Sequence, residues 1–346
     1  MLRTGKLLFA LFLGIIFVFK SYTIVIGQTK PVLAVLNKND ATMVLIDPVS
    51  MKITGKVPVG DGPHEVVLST DGKTAFVANY GAQTPGSSIS VIDVATAKEL
   101  RRFDTLPLLR PHGLQYLGGK LYFTSETNRL IARYDPAANK IDWIMGTGQN
   151  GSHMIAISPD QKKFYTANIG SDSITSFEFQ NVPPAGSRIT HIPVGKQPEA
   201  IDLSPDGKEV WTGLNVDGMV EVVDTATYKS VAKINIGGRP YRVKFSPDGN
   251  YVICTMFATK EILIIDAVTR KELKRHKVES VPFGIVFSAD GKTAFLTAAE
   301  PDMVLKVNLE TGEVLGRVEP GKAPDGIAVA GRGVRDFDRK RYAFRK

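Results

Sequence analysis

The segment Gly62–Asn79 reads GPHEVVLSTDGKTAFVAN, and it decides the fold. It contains two short apolar runs, Val66–Leu68 and Ala75–Ala78, which are rich in β-branched and aromatic residues, as buried strands require. Between them, Asp71-Gly72 supplies the positive φ that a tight hairpin turn needs. The segment therefore predicts a β-hairpin.

This hairpin recurs along the chain. Its turn is repeated at Ser204–Lys208, Ser246–Gly249 and Ser288–Lys292, in altered form at Ser158–Lys162 and in shortened form at Gly118–Lys120. A leading residue precedes each hairpin, at Pro63, Pro111, Ser152, Pro198, Pro240, Pro282 and Pro324. The intervals are about 41 to 48 residues, and such a period with strand-turn-strand content predicts a β-propeller with one four-stranded sheet per blade.

Seven leading residues predict an all-β fold of seven blades. The seventh unit runs out after a predicted strand at Gly326–Ala330, whereas Pro31–Asp47 supplies strands at the N-terminal end that follow no leading proline. We therefore expect the N-terminal strands to complete the last blade, which closes the ring and removes an open sheet edge. Because no amphipathic helical segments separate the strands, an α/β fold is excluded.

Two further patterns carry a family resemblance. The triplets Val77-Ala78-Asn79 and Val91-Ile92-Asp93, together with the Ser-Pro-Asp-Gly-Lys turns, resemble the bacterial YVTN-type β-propeller repeat. The resemblance covers about residues 31 to 331. It implies a seven-bladed propeller, but it leaves the function open because that family includes binding proteins, scaffolds and enzyme-like members.

The two ends of the chain differ from its body. A short basic head is followed by the apolar run Leu7–Phe19 and by small residues before Gln28, which predicts a secretory signal peptide over residues 1–27. The mature protein is then periplasmic or secreted, and an uncleaved segment would anchor it to a membrane. The propeller is expected over residues 28–333, and a basic C-terminal tail over residues 334–346.

The positive charge of the chain is concentrated at these ends. The net charge is +8, of which the signal segment carries +3 and residues 331–346 carry +5, so the propeller body is neutral overall. A neutral body does not favour nucleic-acid binding. Only the tail, where arginines alternate with aromatic residues, offers a surface for phosphates or anionic lipid.

One repeat position concentrates polar side chains. In a propeller the first strand of each blade is expected to line the central channel, so the residue after each leading residue lies once per blade at the channel mouth. Three of the five histidines of the chain occupy this position, in consecutive blades. The seven mouth residues are His64, His112, His153, Glu199, Tyr241, Phe283 and Asp325. Polar groups beside an apolar wall predict a site for a small molecule or a partner segment.

The chemistry of this mouth stays open from the sequence. His64, His112 and His153 could hold Zn, Cu or a similar ion, or they could act as general acids and bases. They could also have only a structural role, by hydrogen bonding to the loop of a neighbouring blade. In that case the chain is a protein-interaction scaffold with an idle channel.

A local pattern favours catalysis. His112-Gly113-Leu114, followed by the strand that ends at Glu126, resembles the streptogramin lyase type of propeller. The resemblance implies that His112 is the acid or base, that Glu126 binds a divalent metal ion and that His64 assists. The implied activity is that of a metal-dependent lyase or lactone hydrolase. The alternative is that Glu126 is an ordinary polar residue at the top of its blade.

Overall fold

The structure is a computed structural model that describes residues 31–180 and 186–330. This part of the chain folds into 28 β-strands and one 3₁₀ helix, Ile169–Ser171. None of its helices is long and apolar enough to cross a membrane. The predicted signal segment and the predicted basic tail lie outside the described residues.

The strands form seven four-stranded antiparallel sheets, numbered here as blades 1 to 7. Blade 1 contains β1 (Val32–Asn37), β2 (Thr42–Ile46), β3 (Ile53–Pro58) and the last strand, β28 (Pro324–Ala330). Blade 2 contains β4 (Pro63–Leu68), β5 (Thr74–Asn79), β6 (Ser88–Asp93) and β7 (Lys98–Asp104). Blade 3 contains β8 (Pro111–Leu117), β9 (Lys120–Ser125), β10 (Leu130–Asp135) and β11 (Lys140–Gly146).

The remaining blades repeat this order. Blade 4 contains β12 (Ser152–Ile157), β13 (Lys163–Asn168), β14 (Ser173–Phe179) and β15 (Ser187–Pro193). Blade 5 contains β16 (Pro198–Leu203), β17 (Glu209–Leu214), β18 (Met219–Asp224) and β19 (Ser230–Asn235). Blade 6 contains β20 (Pro240–Phe245), β21 (Tyr251–Met256), β22 (Glu261–Asp266) and β23 (Glu272–Lys277). Blade 7 contains β24 (Val281–Phe287), β25 (Thr293–Ala299), β26 (Met303–Asn308) and β27 (Val314–Val318).

The blades close into a ring. The first strand of each of blades 2 to 7 contacts the first strand of the next blade, and β28 of blade 1 contacts both β24 and β4. The strand β28 also pairs with β1, from Val32 opposite Ala330 to Asn37 opposite Pro324. The predicted seven-bladed propeller, with its last blade completed by the N-terminal strands, is therefore confirmed.

The repeated turn is fixed by its own side chains. The Gly72 amide donates to the Ser69 carbonyl at 2.8 Å, and the Asp71 carboxylate accepts from the Ser69 hydroxyl at 2.7 Å and from the Lys73 amide at 3.1 Å. Only Gly72 has a positive φ, +70°, so the aspartate acts through its carboxylate and the glycine through its backbone. The same division recurs in the later turns of this type.

The hydrophobic core lies between neighbouring blades. Trp211 of blade 5 packs edge to face on Phe245 of blade 6, with ring centroids 5.6 Å apart, and Trp143 of blade 3 packs on Phe164 of blade 4 at 6.0 Å. Cys254, the one cysteine of the chain, is buried in the cluster that contains Trp211, and burial raises its pKa to about 12. The blades are therefore held together by packing, to which each aromatic pair adds about 0.5–1.5 kcal/mol beyond its buried area.

Candidate functional site

All seven mouth residues lie in β-bulges. In blade 2 the register between β4 and β5 shifts between Pro63 and Glu65, so that His64 has no ladder partner. The first strands of the other six blades shift register at the same repeat position. A bulge releases one residue from the ladder and re-aims its side chain. One local device, repeated seven times, therefore produces the ring of side chains that the sequence predicts.

Buried threonines hold several of these bulges in place. The Thr124 hydroxyl accepts from the Gly113 amide at 2.9 Å and donates to the His153 carbonyl of the next blade at 2.6 Å. Thr255 and Thr297 bridge later blades in the same way. Each threonine thus ties the bulge of one blade to the mouth residue of its neighbour.

The three mouth histidines form a row. The ring of His112 lies 4.6 Å from that of His64 and 3.7 Å from that of His153, and the second pair is stacked at 28°. His112 is fully buried, and neither of its ring nitrogens has a hydrogen-bond partner in the part of the chain that the structure describes. Burial, and then the electrostatic influence of the neighbouring imidazoles of His153 and His64, lowers the pKa of His112 well below its ordinary value, so this imidazole is neutral at pH 7.

Tyr80 covers the row. Its ring stacks on His64 with centroids 5.2 Å apart and meets His112 edge-on at 5.3 Å, and its hydroxyl donates to Glu126. The Arg110 guanidinium lies 4.5 Å from the centroid of the same ring. Burial and the hydrogen bond to Glu126 raise the pKa of Tyr80 to about 12, so the phenol keeps its proton.

Glu126 pairs with His153. Its Oε1 accepts from His153 Nδ1 at 3.1 Å, and its Oε2 accepts from Tyr80. Burial raises the pKa of Glu126, but these two hydrogen bonds outweigh burial and lower it, so the carboxylate is ionised at pH 7. The lyase resemblance grouped Glu126 with His112 and His64, whereas the structure brings this carboxylate to the third histidine of the row.

Asp325 of blade 1 contacts both Tyr241 of blade 6 and His64 of blade 2. The Tyr241 hydroxyl donates to its two carboxylate oxygens at 3.2 and 3.3 Å, Lys38 Nζ lies 3.1 Å from Oδ2, and His64 Nδ1 lies 3.5 Å from Oδ2. Burial raises the pKa of Asp325, but the nearby cationic groups outweigh burial and lower it. Burial lowers the pKa of His64 to about 4 in spite of the attraction to Asp325.

The remaining mouth residues form the predicted apolar wall and one polar chain. The rings of Tyr241 and Phe283 meet edge to face at 4.9 Å. Glu199 accepts from the Asn215 side-chain amide, whose oxygen accepts from Arg239 Nε at 2.7 Å. The mouth residues of blades 1 to 4, 6 and 7 are therefore linked by direct contacts, whereas Glu199 belongs to a separate hydrogen-bonded chain in blades 5 and 6.

An ion pair crosses the channel one residue below the mouth. Arg242 of blade 6 pairs with Glu65 of blade 2, and their side chains are only 5% and 13% exposed. The Arg242 guanidinium also lies 4.5 Å from the centroid of the Tyr241 ring. Because blades 2 and 6 are three steps apart around the ring, the pair forms a bar beneath the mouth.

Sequence reasoning missed a second ring of side chains. It is formed by the residue after the strand partner of each leading residue: Lys38, Tyr80, Glu126, Ile169, Asn215, Phe257 and Ala299. Of these, only Glu126 was singled out, and it was found through a family resemblance. The missing signal was available, because the end of the second strand is as periodic as the leading proline.

The histidine row does not fit a metal centre. Across residues 31–180 and 186–330, no group of three or more histidine, cysteine and acidic side chains is arranged to hold a metal ion. The rings of His112 and His153 lie face to face, so their nitrogens do not converge on one point. The row therefore lacks the convergent nitrogens that a bound metal ion requires.

Comparison with known proteins supports the fold. Neither a protein-family model nor a curated protein matches the sequence, so the YVTN-type resemblance is not confirmed as a family assignment. Among solved structures, hydrazine synthase of Kuenenia stuttgartiensis is similar with a TM-score of 0.70 and 19% identity, over 87% of this chain and 100% of that chain. A Bacteroides fragilis protein that is provisionally named a 6-phosphogluconolactonase is similar with a TM-score of 0.70 and 14% identity, over 87% and 98%.

A third similar structure holds a ligand. Dihydro-heme d1 dehydrogenase NirN, solved in complex with DHE, has a TM-score of 0.63 and 15% identity, over 87% of this chain and 75% of that chain. At such identities these likenesses show a shared propeller fold, which hosts many unrelated functions.

Proposed function

We propose that this chain is a secreted or periplasmic β-propeller binding protein that holds a small molecule at the mouth of its channel. The observation that carries the proposal is His112, a fully buried imidazole with no hydrogen-bond partner in the described chain on either nitrogen. Nearly all buried polar groups in native proteins are paired, so an orphan of this kind requires an explanation. A neutral imidazole offers one donor and one acceptor, and a ligand with hydroxyl or carbonyl groups would satisfy both.

The surroundings of His112 support a ligand site. Tyr80 covers it and lies just after the end of β5, where its side chain is held by the hydrogen bond to Glu126, by stacking on His64 and by the Arg110 guanidinium. A rotation of Tyr80 would open the row of histidines toward the mouth. The apolar wall of Tyr241 and Phe283 lies beside these polar groups, so the mouth offers a ligand both hydrogen-bonding partners and an apolar surface.

The proposal is tested by ligand capture. The purified protein is dialysed against a small-molecule extract, and compounds that it enriches are identified by mass spectrometry. His112→Leu should lose the enriched compound, whereas His191→Leu, which changes an exposed histidine on the outer strand β15, should keep it. Circular dichroism confirms that both variants are folded. If the wild-type protein enriches nothing, or if His112→Leu enriches the same compound equally, the mouth is not a binding site.

A second candidate function is lactone hydrolysis, and the contact between Glu126 and His153 favours it. Because His153 Nδ1 donates to Glu126, its Nε2 carries the free lone pair. Nε2 can take a proton from water while the water oxygen bonds to the lactone carbonyl carbon. The ring C–O bond then breaks, and the ring oxygen receives that proton, which gives a hydroxy acid. The provisional lactonase name of the Bacteroides fragilis structure is consistent with this reaction.

Turnover decides this second candidate. Hydrolysis of glucono-δ-lactone above its spontaneous rate should fall about 100-fold or more in Glu126→Gln, since general acid–base catalysis typically contributes 10²–10⁴-fold. Equal turnover in Glu126→Gln, or no turnover in the wild-type protein, would rule out lactone hydrolysis for this substrate class.

The proposed secreted or periplasmic location rests on the predicted signal peptide, residues 1–27, alone. Fractionation of cells that express the full chain should place it outside the cytoplasm, with the N-terminus of the mature protein near Gln28. Recovery of the unprocessed chain from the cytoplasm would overturn this part of the proposal.

A further inference from the structure

Two arginines stand at the rim of the mouth without a counter-charge. Arg110 directly precedes Pro111 in blade 3, and Arg239 directly precedes Pro240 in blade 6. Neither belongs to an ion pair among residues 31–180 and 186–330. Blades 3 and 6 lie on opposite sides of the ring, so the two guanidinium groups flank the mouth.

Both guanidinium groups are held over aromatic rings. Arg110 lies 4.5 Å from the ring centroid of Tyr80 and makes a long hydrogen bond of 3.4 Å to the Ala82 carbonyl. Arg239 lies 4.8 Å from the ring centroid of Phe257, and its Nε donates to Asn215 at 2.7 Å. Stacking on a ring orients a guanidinium group but leaves terminal N–H donors for another acceptor.

The carboxylates of the mouth are already engaged. Asp325 is paired with Lys38, Glu126 accepts from Tyr80 and His153, and Glu199 accepts from Asn215. None of these three carboxylates forms an ion pair with Arg110 or Arg239 in the described part of the chain, so terminal N–H donors of both arginines stay available to a ligand. A ligand with anionic oxygens would accept charge-assisted hydrogen bonds from these donors.

We propose that the ligand of the mouth is a small organic oxyanion, a carboxylate or a phosphate ester, that Arg110 and Arg239 bind. The inference rests on the proposed binding function and names the class of its ligand. Guanidinium groups recognise the oxygens of both anions through pairs of parallel hydrogen bonds, which are charge-assisted and therefore strong. The neutral imidazole of His112 then contacts the uncharged part of the same molecule.

Simple anions test the proposal on the full chain. Thermal unfolding is recorded in inorganic phosphate, in acetate and in sodium chloride at equal ionic strength. Saturating phosphate or acetate should raise the midpoint of the wild-type protein by about 2–4 °C over chloride, because a ligand that binds only the native state stabilises it. A response to phosphate alone identifies a phosphate ester as the ligand class, and a response to acetate alone identifies a carboxylate.

Matched variants locate the effect. Arg110→Gln/Arg239→Gln should lose the shift, whereas Arg102→Gln/Arg188→Gln, which removes the same charge from two exposed arginines of the outermost strands β7 and β15, should keep it. No shift in either anion, or an equal shift in both double variants, overturns the proposal. The ligand-capture experiment separates it from the proposed function. A neutral or cationic compound that His112→Leu loses and Arg110→Gln/Arg239→Gln retains leaves the binding function intact and removes only the oxyanion.

Discussion

Glu65 and Arg242 are 177 residues apart in the chain, yet they form an ion pair across the channel, directly beneath the mouth. The contact is possible because the ring of blades brings blade 2 and blade 6 to opposite sides of one narrow space. Both charges are largely buried and have lost most of their hydration, so each is stabilised mainly by the opposite charge of its partner.

Breaking this pair should be costly. Glu65→Gln leaves the Arg242 guanidinium buried without a counter-charge, and we expect the free energy of unfolding to fall by about 3–5 kcal/mol in denaturant titrations. Glu99→Gln, which breaks the more exposed pair between Glu99 and Arg102 on β7, should cost only about 0–1 kcal/mol. Equal losses in the two variants would show that the ion pair between Glu65 and Arg242 is solvated.

The free energy of unfolding should decrease as the pH falls from 6.5 to 4. Unfolded His64 takes up a proton below its ordinary pKa of 6.5, whereas burial lowers the pKa in the native protein to about 4. The stability is therefore full above pH 6.5 and decreases as the pH falls from 6.5 to 4, by about 3 kcal/mol for this group alone. In His64→Phe the plot of unfolding free energy against pH should be shallower there by up to one proton. An unchanged slope would show that His64 titrates alike in both states.

Tyr80 should protect His112 from chemical modification. In the wild-type protein, diethyl pyrocarbonate should modify the exposed His191 and leave the buried His112 unmodified. Tyr80→Ala removes the cover, so His112 should then react, as measured by peptide mass spectrometry. Modification of His112 at the rate of His191 in the wild-type protein would contradict the burial of the row.

The threonine bridges should matter more than their size suggests. Thr124→Val removes the acceptor of the Gly113 amide and the donor to the His153 carbonyl, both of which are buried. We expect a loss of about 1–3 kcal/mol in unfolding free energy, since unpaired buried polar groups cost this much. Thr54→Val, on the exposed outer strand β3, should change stability by about 0.5 kcal/mol or less. A neutral Thr124→Val would mean that the bulge does not depend on the bridge.

The fold could be predicted because one hairpin pattern recurs along the sequence. Each leading residue and each Asp-Gly turn acts within one hairpin, so local patterns such as Pro63 and Asp71-Gly72 carry the information. The closure of the ring followed from counting, since one unit lacked strands at its end and the chain had strands to spare at its beginning.

The partners within the mouth could not be predicted in the same way. Asp325 and Tyr241 occupy the same repeat position in different blades, and no spacing in the sequence states that their side chains meet. The pairing of Glu126 with His153 rather than His112 depends on where the bulges aim the side chains. Such contacts between blades are properties of the closed ring.

The composite construction of blade 1 has a consequence for synthesis. The strands β1 to β3 leave the ribosome among the first residues of the propeller, while β28, which must pair with β1, leaves last. Until then the edge of β1 carries unsatisfied backbone groups that could pair with another chain. The ring can therefore close only after the whole propeller has been translated. A chain that stops just before β28 contains blades 2 to 7 but lacks the strand that completes blade 1.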